Sequence, residues 1–245
     1  MYIYIYIRVK LYSASLVYIR IVMAKNSLAP QQARSRESSR KLLKAAAEVL
    51  GQHGVEGTTI PRIAQHAGLT PGAVYRRFPD KDALLETVII GILERQDERL
   101  RIALTPAMAR QIPLPVFAEQ VIASMLVSYR ANARLLRALR QFVQGRDHTL
   151  FFKKAVRLEM HTLQYLVELF LVHRKEVKHP DPHMAVSFAL MTLTSTLTEL
   201  ILVDHDLQNW QAVIPKDDQS LKRELLRSFL SYLGIEQKAN GTRRQ

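Results

Sequence analysis

The sequence predicts an all-α protein, and three observations carry that reading. There are only 9 glycines in 245 residues. No strand–turn–strand rhythm is visible beyond the first two dozen residues. From about Ser35 onward, apolar residues recur three and four positions apart, the spacing that gathers them on one face of a helix. Hydrophobic residues make up 48% of the chain, an ordinary share for a protein that buries a core. The length allows one or two domains.

The amino-terminal stretch "MYIYIYIRVKLYSASLVYIRIVM" is the exception. Tyrosine and β-branched residues alternate there at a strand period, and five of the nine tyrosines fall in it. Arg8, Lys10 and Arg20 interrupt the apolar run, so it makes a poor membrane span. Its basic residues follow the apolar start instead of preceding it, which is the wrong order for a signal peptide. Residues 1–23 read as a non-native or disordered extension, with the working chain starting at Met23; the alternative is a genuine extra hairpin.

The next segment, residues 24–81, reads as a basic arm leading into a small helical head. From Ala24 to Lys44, Lys25, Arg34, Arg36, Arg40, Lys41 and Lys44 stand against the single acidic residue Glu37. A net charge of +13 over the chain suggests an anionic partner such as nucleic acid. In the first helix, Leu42, Leu43, Ala46, Val49 and Leu50 form the inner stripe, and Gly54 is placed to end it in a left-handed cap. Thr58 or Thr59 can cap the second helix. Pro61 lies in its first turn, where a missing N–H costs little. Ile63, Ala64 and Ala67 face inward, and Gly68 stops it.

A third, short helix follows, in "GLTPGAVYRRFPDK". Thr70 is its N-cap and Pro71 its first residue, with φ already set. Leu69 and Val74 make a hydrophobic staple. Val74 and Phe78 anchor it, and Pro79 disfavours helix at Phe78, so the expected span is Pro71–Arg77. Gly72 and Ala73 keep the outward tip slim, and the helix start favours phosphate. Tyr75, Arg76 and Arg77 supply donors behind that tip. Asp80 caps the next helix, and Lys81 projects near its start. A helix, a tight turn and a short outward helix of this kind form a helix-turn-helix.

The run from Leu42 to Leu85 resembles the DNA-binding domain of the TetR family of bacterial transcriptional regulators. The marks are "LLKAA", Gly54, Thr58–Thr59, Ile63–Ala64, "AGLTPGAVY" and the Phe78–Lys81 run. The resemblance implies a homodimer on a palindromic double-stranded DNA operator, with a carboxy-terminal domain that senses a small-molecule effector. By the same resemblance, Thr70, Pro71, Gly72 and Ala73 face bases or nearby phosphates. Thr59, Tyr75, Arg77 and Lys81 hold the DNA backbone, and Arg76 touches either. Three positions depart from the family pattern: Leu50 replaces a usual phenylalanine, Arg77 a frequent histidine, and Pro61 is unusual.

Residues 82–236 read as a larger helical domain for ligand binding and dimerisation, and 237–245 as a disordered tail. A long helix runs from Lys81 to about Leu104, with Leu84, Leu85, Val88, Ile92 and Leu93 inward; in the family it links reading head to sensor. Thr105–Pro106 breaks it, and Ile112–Pro115 reads as a second loop. Val116–Tyr129, Leu135–Val143 and Thr149–His173 are three further helices. Arg130, Arg134, Arg137 and Arg140 recur so as to line one face, either solvated or meeting an anion. Pro182–Val203 is apolar on nearly every side, and Leu221, Leu225, Leu226, Phe229 and Leu233 form a stripe on the last helix. These two helices are the expected dimer surface.

The chain lacks cysteine, which excludes disulfides and thiolate metal sites and fits a reducing cytoplasm. His179 and His183 are separated by two prolines, so helical metal geometry is not expected, and Asp204, His205 and Asp206 read as a helix end. No metal, cofactor, nucleophile–base pair or phosphate loop is indicated, and no membrane partner. The reading is a DNA-binding regulator, most simply a repressor. Its rivals are a DNA-organising protein of the same fold and, further off, an enzyme on a helical scaffold.

Overall fold

The computed structural model describes residues 30–144, 146–202, 215 and 217–235, with side chains from 37 onward. The expectations for residues 1–23, for Asp204–Asp206 and for the 237–245 tail lie outside the described residues. Ten α-helices occur among the described residues: α1 Pro30–Gly57, α2 Ile60–Ala67, α3 Pro71–Tyr75, α4 Lys81–Ala103, α5 Pro106–Arg110, α6 Leu114–Ala131, α7 Ala133–Val143, α8 Leu150–Leu171, α9 Pro182–Leu202 and α10 Asp218–Tyr232.

The helices group into two compact units. One holds 30–99 with 132–161, so α7 and the first half of α8 pack with the head. Its core has two clusters. Leu42, Ala45, Ala46 and Val49 of α1 meet Ile60, Ile63 and Ala64 of α2, Val74 of α3, and Leu84 and Val88 of α4. Directly after Val49, Leu50 joins Leu85 and Ile89 of α4, Ala138 and Phe142 of α7, and Phe151 and Ala155 of α8. The leucine that departs from the family pattern is thus fully buried, facing this second cluster.

α1 begins at Pro30, earlier than the apolar stripe suggests, because the sequence of residues 30–36 carries no such stripe to mark it. Gly54 breaks its regular geometry at φ 66°, ψ −175°, a conformation that side-chain-bearing residues avoid. Buried Thr58 donates its hydroxyl to the Gly54 carbonyl, which satisfies a helix-end acceptor.

The second unit holds 100–131 and the described residues from 162 onward. Phe117 of α6 lies 4.8 Å from Phe170 of α8, which lies 5.1 Å from Phe229 of α10, ring centre to ring centre. Such tilted aromatic pairs add to the burial of large apolar area. The buried Tyr165 hydroxyl donates to the Leu104 carbonyl at 2.7 Å. Ion pairs Lys222–Glu119 (2.8 Å) and Arg130–Asp218 (2.9 Å) join α10 to α6. Thr105, Asp181 and Asp217 cap α5, α9 and α10 with side-chain oxygens. The Ser220 N–H and hydroxyl hold the Asp217 carboxyl below the usual carboxylate range.

Two expectations need correcting here. Ile112–Pro115 is not wholly a loop, because α6 starts at Leu114; Pro115 sits in the first turn, which tolerates it. Arg130, Arg134, Arg137 and Arg140 do not line one helix: Asn132 adopts φ −112°, ψ 14°, so Arg130 ends α6 and the others sit on α7. At the start of α9, Asp181 donates its N–H to His179 Nδ1 at 3.0 Å.

On α9, seven residues including Val186, Leu190, Leu193 and Leu197 are buried. The helix is long and apolar enough to cross a bilayer, with a mean hydropathy of 1.6 over its most apolar window. Its burial within the unit accounts for much of that apolar character. Met184, Phe188 and Met191 remain exposed, as does Tyr232 of α10. Phe188 and Tyr232 stack at 5.4 Å, and with Thr192, Thr196 and Ser228 they line a shallow groove between α9 and α10.

Candidate nucleic-acid interface

The candidate site is built on α2, α3 and the start of α4. Thr59 is extended (φ −122°, ψ 152°) and accepts the Arg62 N–H on its hydroxyl oxygen at 3.4 Å, so it is the N-cap of α2. Thr58 is the buried partner and Thr59 the exposed one. Gly68 ends α2 at φ 67°, ψ 37°, its N–H donating to carbonyls of Ala64 and Gln65. That left-handed residue makes the turn between α2 and α3 tight.

Thr70 caps α3, accepting the Ala73 N–H at 3.2 Å. Pro71 has no N–H and the Ala73 N–H is taken by Thr70, so few donors remain free at this helix end. Thr70, Pro71 and Gly72 are exposed and Ala73 half-exposed. A Cβ built on Gly72 would meet nothing within 4 Å; the glycine keeps the outer surface slim without an internal packing need. Beneath the tip, Val74 is fully buried, and Leu69 and Phe78 pack on the same cluster.

α3 ends at Tyr75, two residues before the expected Arg77. Arg77 donates its N–H to the Val74 carbonyl at 2.9 Å, a tightened last turn of the kind found where a helix stops. Pro79, one residue past Phe78, accounts for the stop. Tyr75 is 54% exposed, and Arg76 and Arg77 are exposed beside it.

The two arginines differ. Arg77 Nη1 donates to Ser38 Oγ of α1 at 3.1 Å, so its guanidinium is tethered across the head. Arg76 makes no side-chain hydrogen bond or ion pair among the described residues. Lys81 is half-buried, and its Nζ donates to the Val55 carbonyl near the end of α1 at 3.4 Å. Asp80 accepts the Ala83 N–H at 2.8 Å and caps α4. His66 Nε2 lies 2.8 Å from Glu48 Oε2, joining α2 to α1.

All nine expected residues therefore belong to one unit. Thr70, Pro71, Gly72, Tyr75, Arg76 and Arg77 are exposed along one edge above the buried Val74, with Thr59 and Lys81 at the starts of the flanking helices. The tethers of Arg77 and Lys81 escape sequence reading. Each joins positions far apart in the chain, and neither serine nor a carbonyl announces its partner. Among the described residues, no group of three or more His, Asp or Glu side chains is placed to hold a metal ion.

Comparison with known proteins points the same way. The family model for bacterial regulatory proteins of the tetR family matches residues 42–88. The HTH-type transcriptional regulator UidR of Escherichia coli is 27% identical over 70 residues, 29% of this chain and 36% of UidR. The uncharacterized HTH-type transcriptional regulator TtgW of Pseudomonas putida is 39% identical over 57 residues, 23% of this chain and 42% of TtgW. Both alignments span less than half of the relative's length. Likeness of fold reaches further. The transcriptional regulator FadR of Bacillus subtilis, solved in complex with stearoyl-CoA, has a TM-score of 0.57 at 19% identity, covering 80% of this chain and 99% of that one. A regulator from Mesorhizobium loti assigned to the TetR family has a TM-score of 0.63 at 18% identity, covering 82% of this chain and 97% of that one. Residues 42–88, a capped and outward-facing helix-turn-helix, thus match the tetR family model, and the all-helical fold around them is shared with solved regulators.

Proposed function

We propose that the protein is a repressor that binds a palindromic operator as a homodimer and is released by a small-molecule inducer. The observation that carries this reading is the exposed edge from Thr70 to Arg77, slim at its leading end and cationic behind. Thr70, Pro71, Gly72 and Ala73 approach the bases and nearby phosphates. Thr59, Tyr75, Arg77 and Lys81 hold the DNA backbone, and Arg76, with no internal partner, is free to reach a base edge.

The homodimer reading rests on the face shared by α9 and α10. Met184, Phe188, Met191 and Tyr232 are exposed there, and from Met184 to Thr198 the sequence has no Lys, Arg, Asp or Glu. Exposed apolar surface without charge is the composition of an interface centre. Two copies meeting through these helices form a four-helix bundle and present two heads to two half-sites. The ligand reading draws support from the similar fold of FadR, solved in complex with stearoyl-CoA. With the apolar helices of the second unit, it suggests a hydrophobic or amphipathic inducer. That molecule need only bind better to the geometry in which the heads are misplaced.

Selection of binding sites from random DNA, followed by genome-wide mapping, tests the proposal. It expects a palindromic site near few promoters; a purified protein that ignores duplex DNA at low salt would refute it. Lys81→Ala is expected to weaken binding to all sequences and to reduce the slope of log affinity against log salt by about one. Titration by fluorescence anisotropy across a salt series checks this, and an unchanged slope would remove Lys81 from the phosphate contacts.

A further inference from the structure

We propose that Arg146, in the turn between α7 and α8, is a positioning residue for DNA binding: it clamps Asp82 and thereby fixes the first turn of α4. This rests on the DNA-reading function of the head. Neither residue belongs to the exposed edge described above.

The clamp is built on a fixed base. The Arg146 N–H donates to the Val143 carbonyl at 3.1 Å, and the Arg146 carbonyl accepts both the N–H and the hydroxyl of Thr149, each at 2.9 Å. Thr149 in turn accepts the Phe152 N–H at 3.0 Å and caps α8. The guanidinium lies 3.9 Å from the ring centre of Phe142 and donates through Nη1 to the Phe142 carbonyl. Phe142 is fully buried and meets Phe151 edge-on at 5.8 Å. A cation stacked on a buried ring and bonded to a carbonyl has lost most of its freedom before it meets its partner. From that position Nη2 reaches Asp82 Oδ2 at 2.8 Å.

Asp82 sits beside Lys81 in the first turn of α4, directly after the Arg76–Arg77 turn. The Asp80 cap and the Lys81 bond to the Val55 carbonyl hold this turn from one end. The Arg146 clamp holds it from the α7–α8 turn, and it is the one cross-link recorded between that turn and the start of α4 among the described residues. With the clamp released, the turn that carries Lys81 and follows the arginines loses its fixed orientation.

The sign of one substitution separates positioning from simple electrostatics. Asp82→Asn removes a negative charge beside a phosphate-binding edge, so electrostatics alone predicts tighter DNA binding. A positioning role predicts weaker binding, by about three- to fivefold, as expected for loss of a partly exposed ion pair. The experiment measures binding of the wild type, Asp82→Asn, Arg146→Met and the double variant to the duplex recovered by selection, across a salt series and well below each unfolding midpoint. The expected result is that both single variants weaken binding similarly, that the double variant is no weaker than either single, and that the Arg146→Met salt slope equals the wild-type slope. Asp82→Asn binding as tightly as wild type or tighter overturns the clamp, as do additive losses in the double variant. A slope reduced by about one in Arg146→Met overturns it too, by making Arg146 a phosphate contact. A wild type that binds no duplex at low salt overturns the DNA-reading function instead, and the clamp's role with it.

Discussion

Phe188→Glu is expected to convert the protein to a monomer. The ring is 45% exposed in the single chain and stacks on Tyr232, so the substitution leaves the protomer's own core intact. In a symmetric four-helix interface each copy would bury one new carboxylate with no cationic partner on α9 nearby. An uncompensated buried charge costs about 3–5 kcal/mol. That raises the dimer dissociation constant by roughly a hundredfold or more. Sedimentation velocity at micromolar concentration should show the change of mass while the circular dichroism of the helices is retained. Operator affinity should collapse in parallel, because two half-sites no longer meet a linked pair of heads. A variant that remains dimeric would place the interface elsewhere.

Arg76→Ala is expected to weaken operator binding by about 1–3 kcal/mol, the range for loss of a bidentate base contact, and to relax preference at one position of each half-site. Arg76 differs from its neighbour in having no internal partner among the described residues, whereas Arg77 is tethered to Ser38. Arg77→Ala should therefore weaken all sequences alike and lower the salt slope, as a phosphate contact does. Repeating the selection from random DNA with each variant separates the two. The same consensus from Arg76→Ala as from wild type would mean that this arginine reads no base.

What was legible in the sequence was whatever is decided within a few residues. Thr59, Thr70 and Asp80 act as caps because a cap and the N–H it accepts lie three positions apart. Gly54 and Gly68 were legible because a left-handed φ calls for glycine. The inner faces of α2 and α10 followed from apolar spacing, with Leu221, Leu225, Phe229 and Leu233 buried and Leu226 half-buried. What depended on tertiary contact was not legible. The Arg77–Ser38 bond joins residues 39 apart, and the Arg146–Asp82 pair joins residues 64 apart. The break at Asn132 has no glycine or proline to announce it, so arginines on two helices read as one row. The early start of α1 was missed because its first turns carry no apolar stripe.

The brevity of α3 has a consequence of its own. Five residues make little more than one turn, far below the length at which a helix persists in water unaided. Its order is borrowed from Val74 and Phe78 gripping the cluster below and from Thr70 closing its start. The edge proposed to meet a duplex is thus a stretch of the head with little stability of its own. Amide deuteration should reach it before the longer helices around it, and a groove closing over it would slow that exchange. Recognition would then include a small step of local ordering, so discrimination among sites should fade on warming before the rest of the molecule melts.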